Sequence, residues 1–151
     1  MLDLEAIERI KQLKARYLRA IDTCNIEMLR GILTEDVVLS FKSPAYEHRV
    51  SGLDAALDFY RASFTPTRLA MHNGHTPEIE VHGDEASGLW YLNYVFINLE
   101  DKTHLNGAAI YEDRYVKVDG EWRIARTGYT TLLETIEPLR ESLQIISKPI
   151  N

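Results

Sequence analysis

The feature that most constrains this chain is a change of hydrophobic period near residue 70. Before that point, apolar residues recur at three- and four-residue steps, as in helices with one buried side. After it, long segments rich in β-branched and aromatic residues predict strands over 77–82, 87–99, 105–118 and 121–131. We therefore expect helices first and then a long antiparallel meander.

The first predicted helix covers residues 3–24 and begins at an Asp3 N-cap. Its buried stripe contains Ile7, Ile10, Leu13, Tyr17 and Ile21. A short second helix around Met28 follows, then a turn at 34–36 and a first strand over 37–41.

A third predicted helix begins at Ser51, with Asp54 three residues later in a capping-box arrangement. The residues between Pro44 and Ser51 are expected to form a loop. The segment after Leu132 is expected to be either a closing C-terminal helix or a tail.

Strands of about 12 residues do not stay flat, because the twist of each strand accumulates and curls the sheet. A curled sheet with helices on its concave face encloses a pocket. We therefore predict an α+β fold, a cone-shaped α+β barrel with N-terminal helices packed on a strongly curved, mostly antiparallel sheet. The length favours one domain over residues 1–151.

Charge and composition argue against several classes of function. The net charge of −6, from 17 basic and 23 acidic residues, argues against a nucleic-acid partner. The sequence has no basic amphipathic segment that would indicate binding to a membrane surface. No apolar run approaches the roughly 20 residues that span a bilayer. The N-terminus lacks the form of a signal peptide, and Cys24 is the single cysteine. We therefore expect a cytoplasmic protein.

A carboxylate and an imidazole are the best candidates for chemistry. Asp22 lies late in the first helix, at the border of its apolar stripe, and His72 lies where the long strands begin. An aspartate that binds a histidine fixes the ring tautomer and stabilises the imidazolium, which makes the histidine a better base. Asp22 by itself also fits a solvated charge on the edge of a helix.

The histidines do not predict a metal site. His72 and His75 are three residues apart, but Gly74 and Pro77 disfavour a helix there. No accompanying carboxylate or cysteine spacing resembles a zinc site. His48 is expected to be exposed in a loop. We expect neither a metal nor a cofactor.

Strand alternation predicts the walls of the pocket. Side chains at 90, 92, 94 and 96 share one face of the strand predicted over 87–99. Side chains at 109, 111 and 113 likewise share one face of the strand predicted over 105–118. Plain core packing is the alternative, and most aromatic stripes have that role. Tyr94 or Tyr111 would be able to donate a hydrogen bond to an oxyanion or a leaving oxygen. The predicted substrate-binding residues are Phe41, Trp90, Tyr94, Phe96, Tyr111 and Tyr129.

Several segments occur in a recognisable order and spacing: Tyr17-Leu18-Arg19-Ala20-Ile21-Asp22, Leu33-Thr34-Glu35-Asp36-Val37, Met71-His72-Asn73-Gly74, Glu80-Val81-His82-Gly83-Asp84, Tyr111-Glu112-Asp113-Arg114-Tyr115 and Asp119-Gly120-Glu121-Trp122. This series resembles the SnoaL-like branch of the nuclear-transport-factor-2-like superfamily, especially its scytalone-dehydratase-like members. It covers about residues 5–131 and implies the cone fold. It does not specify a reaction, because the superfamily includes dehydratases, isomerases, cyclases, dehalogenating lyases and non-catalytic binders.

The resemblance also implies positions for the site. Asp22 and His72 fall where dehydratase-like and dehydrochlorinase members carry an aspartate–histidine dyad, whose histidine removes a proton from carbon. The second histidine of the dehydratases aligns with Phe96, and their pocket asparagine aligns with Tyr111. The pocket arginine of the dehydrochlorinases aligns with Thr127. The base is therefore retained and the leaving-group apparatus is not, so neither parent substrate carries over.

Together these features predict a cofactor-independent lyase, a dehydratase or a related elimination or retro-aldol enzyme, acting on a small aromatic or polycyclic molecule. One alternative is a non-catalytic small-molecule-binding or assembly module. Another is a ketosteroid-isomerase-like isomerase, whose base is more usually a carboxylate. The later strands are apolar on both faces, which predicts a homo-oligomer. The resemblance favours a trimer, with a dimer next.

Overall fold

The computed structural model describes residues 1–148, in which ten elements follow one another along the chain. They are α1 (Leu4–Asp22), α2 (Ile26–Ile32), β1 (Leu33–Ser43), β2 (Tyr46–Ser51), α3 (Leu53–Ser63), β3 (Arg68–His82), β4 (Glu85–Asn98), β5 (Thr103–Val118), β6 (Glu121–Thr127) and β7 (Tyr129–Pro138).

The strands form one sheet in the order β2-β1-β6-β5-β4-β3, and β7 pairs with both β1 and β5. Neighbours are antiparallel, except that β1 runs parallel to β6 and β7. β5 has 16 residues and pairs with β6 along one half and with β7 along the other. Gly128 connects β6 to β7 and lies close to the backbone of Ser40 in β1. A Cβ at this position would lie 1.9 Å from the Ser40 carbonyl oxygen, so only glycine fits there.

The helices pack on the concave face of this strongly curved sheet, which confirms the predicted α+β fold. Asp3 caps α1 as predicted, because its carboxylate accepts a hydrogen bond from the Ala6 amide at 3.0 Å. The predicted stripe of α1 is buried at Ile10, Leu13, Tyr17 and Ile21. Burial of each such side chain contributes about 1.5–3 kcal/mol, so this face fixes α1 against the sheet and fixes its last residue, Asp22, with it.

Three predictions in the first half of the chain are wrong. Residues 34–36 lie inside β1, and the expected loop before Ser51 contains the edge strand β2, whose exposed Glu47, His48 and Arg49 hide its alternation. The capping box is also wrong. α3 begins after Gly52, no side chain caps it, and Ser51 pairs with Val38 as part of the sheet.

The later strands differ from their predicted limits. The strand predicted over 121–131 is divided at Gly128 into β6 and the start of β7. β3 begins at Arg68 rather than at 77, and the segment from Leu132 to Pro138 belongs to β7, which excludes the helical alternative there. The described residues after Pro138 form turn and coil. The predicted domain and tail include residues 149–151, which lie outside the described residues. Among residues 1–148, no helix has the length and apolar character that crossing a bilayer requires.

Candidate active site

The C-terminus of α1 and the first half of β3 bring Asp22 and His72 together. His72 Nδ1 lies 2.6 Å from Asp22 Oδ1, and the backbone amide of His72 donates to Asp22 Oδ2 at 3.0 Å. The carboxylate–imidazole hydrogen bond expected from the sequence is therefore present. Both carboxylate oxygens accept from one residue, which fixes the position and the rotation of the imidazole.

This geometry selects a tautomer. A carboxylate can only accept, so Nδ1 of the neutral ring carries the proton and Nε2 has a free lone pair. The ring is held edge-on to Phe64, at 5.7 Å between centroids, and nearly parallel to Tyr94 at 6.0 Å. The side chain of His72 is 8% exposed and that of Asp22 is 21% exposed. The arrangement presents an oriented base whose charged form has a counter-ion.

His72 forms part of the wall of a cavity of about 460 Å³. Aromatic rings make up most of the lining, and the predicted residues that contribute are Phe41, Tyr94, Phe96, Tyr111 and Tyr129. A cavity of this size holds a small aromatic molecule. Tyr17, Phe59, Tyr60 and Phe64 also line it, and none of them is among the predicted binding residues.

Trp90 differs from the prediction. Its side chain is buried on the same face as Tyr94, as alternation requires, but it lies outside the cavity lining found among residues 1–148. The indole nitrogen donates to the Tyr115 hydroxyl at 3.0 Å, and Tyr115 donates to Asp113 at 2.7 Å. Trp90 thus belongs to a buried polar network in the core.

The centre of that network is an ion pair that sequence reasoning missed. Lys14 Nζ lies 2.7 Å from Asp113 Oδ2, and both side chains are almost fully buried. Thr127 donates to the other carboxylate oxygen at 2.7 Å. Burial lowers the pKa of Lys14, and the adjacent negative charge of Asp113 opposes that shift. Lys14 Nζ also lies 3.4 Å from the centroid of the Tyr111 ring, which connects the network to the cavity wall.

Two polar residues of the cavity, Tyr46 and Glu134, were not predicted either. Tyr46 begins the edge strand β2, and Glu134 lies in β7, the two segments whose structure the sequence did not reveal. The Glu134 carboxylate accepts hydrogen bonds from Tyr46 at 2.9 Å and from Tyr94. Tyr46 in turn lies 2.9 Å from the hydroxyl of Tyr129. Burial raises the pKa of all three phenols, so each keeps its proton at neutral pH.

Sheet register explains how this cluster forms. His72, Tyr94, Gly107 and Glu134 are successive direct partners on β3, β4, β5 and β7. A Cβ on Gly107 would lie 2.1 Å from the Tyr94 ring carbon Cζ, so only glycine allows the ring to lie across β5 and reach Glu134.

We expect Gly107→Ala to displace the Tyr94 ring and to lower the free energy of unfolding by about 1–3 kcal/mol, the usual cost of overpacking. Urea denaturation followed by circular dichroism measures this loss. Gly31→Ala is the matched control, because nothing lies within 4 Å of its added Cβ and alanine favours helix α2. Equal stability of the two variants would contradict the steric argument.

The remaining candidates are arranged as follows. His75 binds Asn93 through Nε2 at 2.7 Å and stacks on exposed Tyr91, away from the dyad. His48 is exposed, as expected, but lies in a strand at the edge of the cavity. Within residues 1–148, no group of three or more histidine, cysteine or carboxylate side chains is arranged to hold a metal ion.

Solved structures with the same fold include three that cover most of this chain. A hexachlorocyclohexane dehydrochlorinase (type 3) from Novosphingobium barchaimii has a TM-score of 0.78 and 20% identity, over 95% of this chain and 96% of that one. A provisionally named scytalone dehydratase from Novosphingobium aromaticivorans has a TM-score of 0.76 and 20% identity, over 97% and 93%. A Mycobacterium tuberculosis protein of unknown function has a TM-score of 0.71 and 27% identity, over 85% and 77%.

Likeness at about 20% identity establishes the fold and leaves the reaction open. The family assignment rests on the sequence itself. The model of the SnoaL-like domain matches residues 2–128, which include α1, the dyad and the strands as far as β6. The chain therefore belongs to the SnoaL-like domain family.

Proposed function

We propose that this protein is a cofactor-independent lyase that acts on a small aromatic or polycyclic molecule. The observation that carries the proposal is the Asp22–His72 pair, which opens into an aromatic cavity with Nε2 available as a base. Two similar structures are named for eliminations, one for a dehydrochlorination and one for a dehydration. These names support the same class of reaction here.

In the proposed elimination, His72 Nε2 removes a proton from carbon. The electron pair of the broken C–H bond forms a carbon–carbon double bond, while the leaving group departs with its own bonding pair. The new imidazolium is stabilised by the Asp22 carboxylate at 2.6 Å. A departing hydroxide takes the proton from the His72 imidazolium and leaves as water, which regenerates the neutral base. In a retro-aldol cleavage, the same base takes the proton of a hydroxyl group, and the electron pair of that O–H bond forms a carbonyl group. The carbon–carbon bond breaks, and its electron pair stays on the other fragment, which takes up the proton from the imidazolium.

A panel of hydroxylated aromatic compounds tests this proposal, with no metal or cofactor added. We expect the wild-type protein to convert at least one compound to a product lighter by water or by a small carbonyl fragment, which mass spectrometry detects. In D₂O, a fragment released by a retro-aldol cleavage should carry deuterium at the carbon where the bond broke. Tight binding of compounds without any product would instead support a non-catalytic binding module.

We also propose a homo-oligomer, with a trimer favoured over a dimer. Apolar side chains on the face of the sheet opposite the helices are exposed at Met71, Leu89, Tyr91 and Leu133. A patch of this kind usually marks a protein contact. Light scattering at micromolar concentration should give a mass above the 17.4 kDa of one chain, and Tyr91→Arg should lower it. A monomeric mass for the wild type would refute this prediction.

A further inference from the structure

The carboxylate of Glu134 and the imidazole of His72 occupy two ends of one row of the sheet. The row passes through β3, β4, β5 and β7, with Tyr94 and Gly107 between the two residues. Adjacent strands lie about 4.8 Å apart, so the two backbones are separated by about 14 Å along the sheet. A ligand in the cavity is therefore able to contact His72 with one end and Glu134 with the other.

Tyr46, Tyr94 and Tyr129 form a phenol cluster around the Glu134 carboxylate. The direction of each hydrogen bond in this phenol cluster follows from the fact that each phenol has one proton to donate. Tyr46 and Tyr94 both donate to Glu134 Oε1, because an ionised carboxylate only accepts. Since the single proton of Tyr46 is used in this way, the bond to Tyr129 must be donated by Tyr129. No phenol proton of the cluster is then left for a ligand, which differs from the oxyanion-donor role considered for Tyr94.

What the cluster offers is an acceptor. Within residues 1–148, no hydrogen bond uses Glu134 Oε2 and no basic side chain pairs with this carboxylate. The carboxylate lines the cavity beside the rings of Tyr46, Tyr94 and Tyr129. A hydrogen bond to an ionised group in such surroundings is stronger than one between neutral groups.

We propose that Glu134 is a specificity-determining residue that accepts a hydrogen bond from a hydroxyl group of the ligand through Oε2. This inference deepens the proposed function and rests on it only for the statement that the ligand is a substrate. The phenols hold the carboxylate in place, and His72 acts at the other end of the bound molecule. A ligand that carries an ether in place of the hydroxyl covers Oε2 without replacing its hydrogen bond to water, and it therefore binds weakly.

Direct binding of two matched probes tests the proposal without any turnover. 4-Propylphenol carries a hydroxyl donor, and 4-propylanisole has the same alkyl ring with a methyl ether. Calorimetry on the wild-type protein should give a Kd for the phenol about 10- to 100-fold lower than for the anisole, the contribution of one hydrogen bond to a charged group. A wild-type protein that binds the two equally, or binds neither, overturns the proposal.

Glu134→Gln tests the residue with little change of shape. Its carboxamide oxygen still accepts from the phenols, while an NH₂ donor replaces the free oxygen, so the preference for the phenol should fall to about threefold or less. Glu134→Leu removes the carboxylate altogether, so this variant should also lose the preference for the phenol. Glu137→Gln is the matched control on an exposed position of the same strand and should keep the wild-type ratio. An unchanged ratio in both Glu134 variants overturns the assignment.

His72→Ala separates this inference from the proposed function. The variant should keep the preference for the phenol, because Glu134, which binds the phenol hydroxyl, lies at the other end of the cavity from residue 72. If the preference is present but no variant or wild type turns over any compound, the lyase proposal fails and the role of Glu134 in binding stands. If turnover depends on His72 while the probes bind equally, the lyase proposal stands and the role of Glu134 fails.

Discussion

His72→Ala is expected to lower kcat by about 10²–10⁴-fold on any compound that the wild-type protein converts, the usual contribution of general acid–base catalysis. The reason is the loss of Nε2, the lone pair that the Asp22 contact leaves free. The melting temperature should change little, because the ring lines a cavity rather than filling the core. Steady-state kinetics and circular dichroism on the same preparations measure the two quantities.

His75→Ala is the matched control. It removes the same side chain three residues away, where His75 contacts Asn93 and Tyr91 instead of the dyad. We expect kcat within about twofold of the wild type, since substitutions away from the site have small effects. Turnover that survives His72→Ala within a few-fold would exclude His72 as the base.

Asp22→Asn should lose much of the rate while preserving the shape of the site. Two N–H groups of residue 72 donate to the carboxylate, one to each oxygen. Asparagine has a single acceptor atom, so one donor loses its partner and the imidazolium loses its counter-ion. An isomerase with Asp22 as its base would behave differently, because Asp22→Asn would abolish its activity and His72→Ala would not.

The pH dependence of kcat/KM provides a further test of the same base. A general base acts in its unprotonated form, so kcat/KM should rise with pH. This rise should be absent from any residual activity of His72→Ala. A wild-type kcat/KM that does not rise with pH would contradict the mechanism.

The dyad could be predicted because each partner has a local signal in the sequence. Asp22 borders the apolar stripe of α1, and His72 lies at the entry to the strands, in a segment that resembles a known family. Their contact depends on α1 packing against β3, which burial of Ile10, Leu13 and Tyr17 enforces. The hydrophobic periods of these elements are strong enough to be read from one sequence.

Glu134 and Tyr46 could not be predicted in the same way. β2 is an edge strand with exposed charges, and β7 carries Leu132, Leu133 and Ile136 as exposed residues, so neither shows a clean alternation. The role of Glu134 also depends on Gly107 in a different strand, since the absence of a side chain there allows Tyr94 to reach it. Contacts of this kind are set by register, which the local sequence does not specify.

Lys14 is a different case, because its position in the sequence does indicate its role. It lies four residues after Ile10 and three before Tyr17, so it falls within the apolar stripe of α1. A lysine at such a position must reach the surface or find a buried counter-ion. The strand face shared by residues 109, 111 and 113 supplies that counter-ion as Asp113.

Lys14→Met is therefore expected to lower the free energy of unfolding by about 3–5 kcal/mol, because it leaves the Asp113 carboxylate buried without a positive partner. This is a large part of the 5–15 kcal/mol that is typical of a domain. Lys11→Met is the matched control on the same helix. Lys11 is 46% exposed and lies 3.9 Å from Glu8, so its loss should cost less than about 0.5 kcal/mol.

Urea denaturation at neutral pH measures both variants, and a constant m-value verifies that the unfolding transitions are comparable. Replacement of both partners by apolar residues should cost less than the sum of the two single losses, because no buried charge is left unpaired. If Lys14→Met and Lys11→Met were equally stable, the buried pair would contribute nothing to stability, and its role would be limited to holding Tyr111 in the cavity wall.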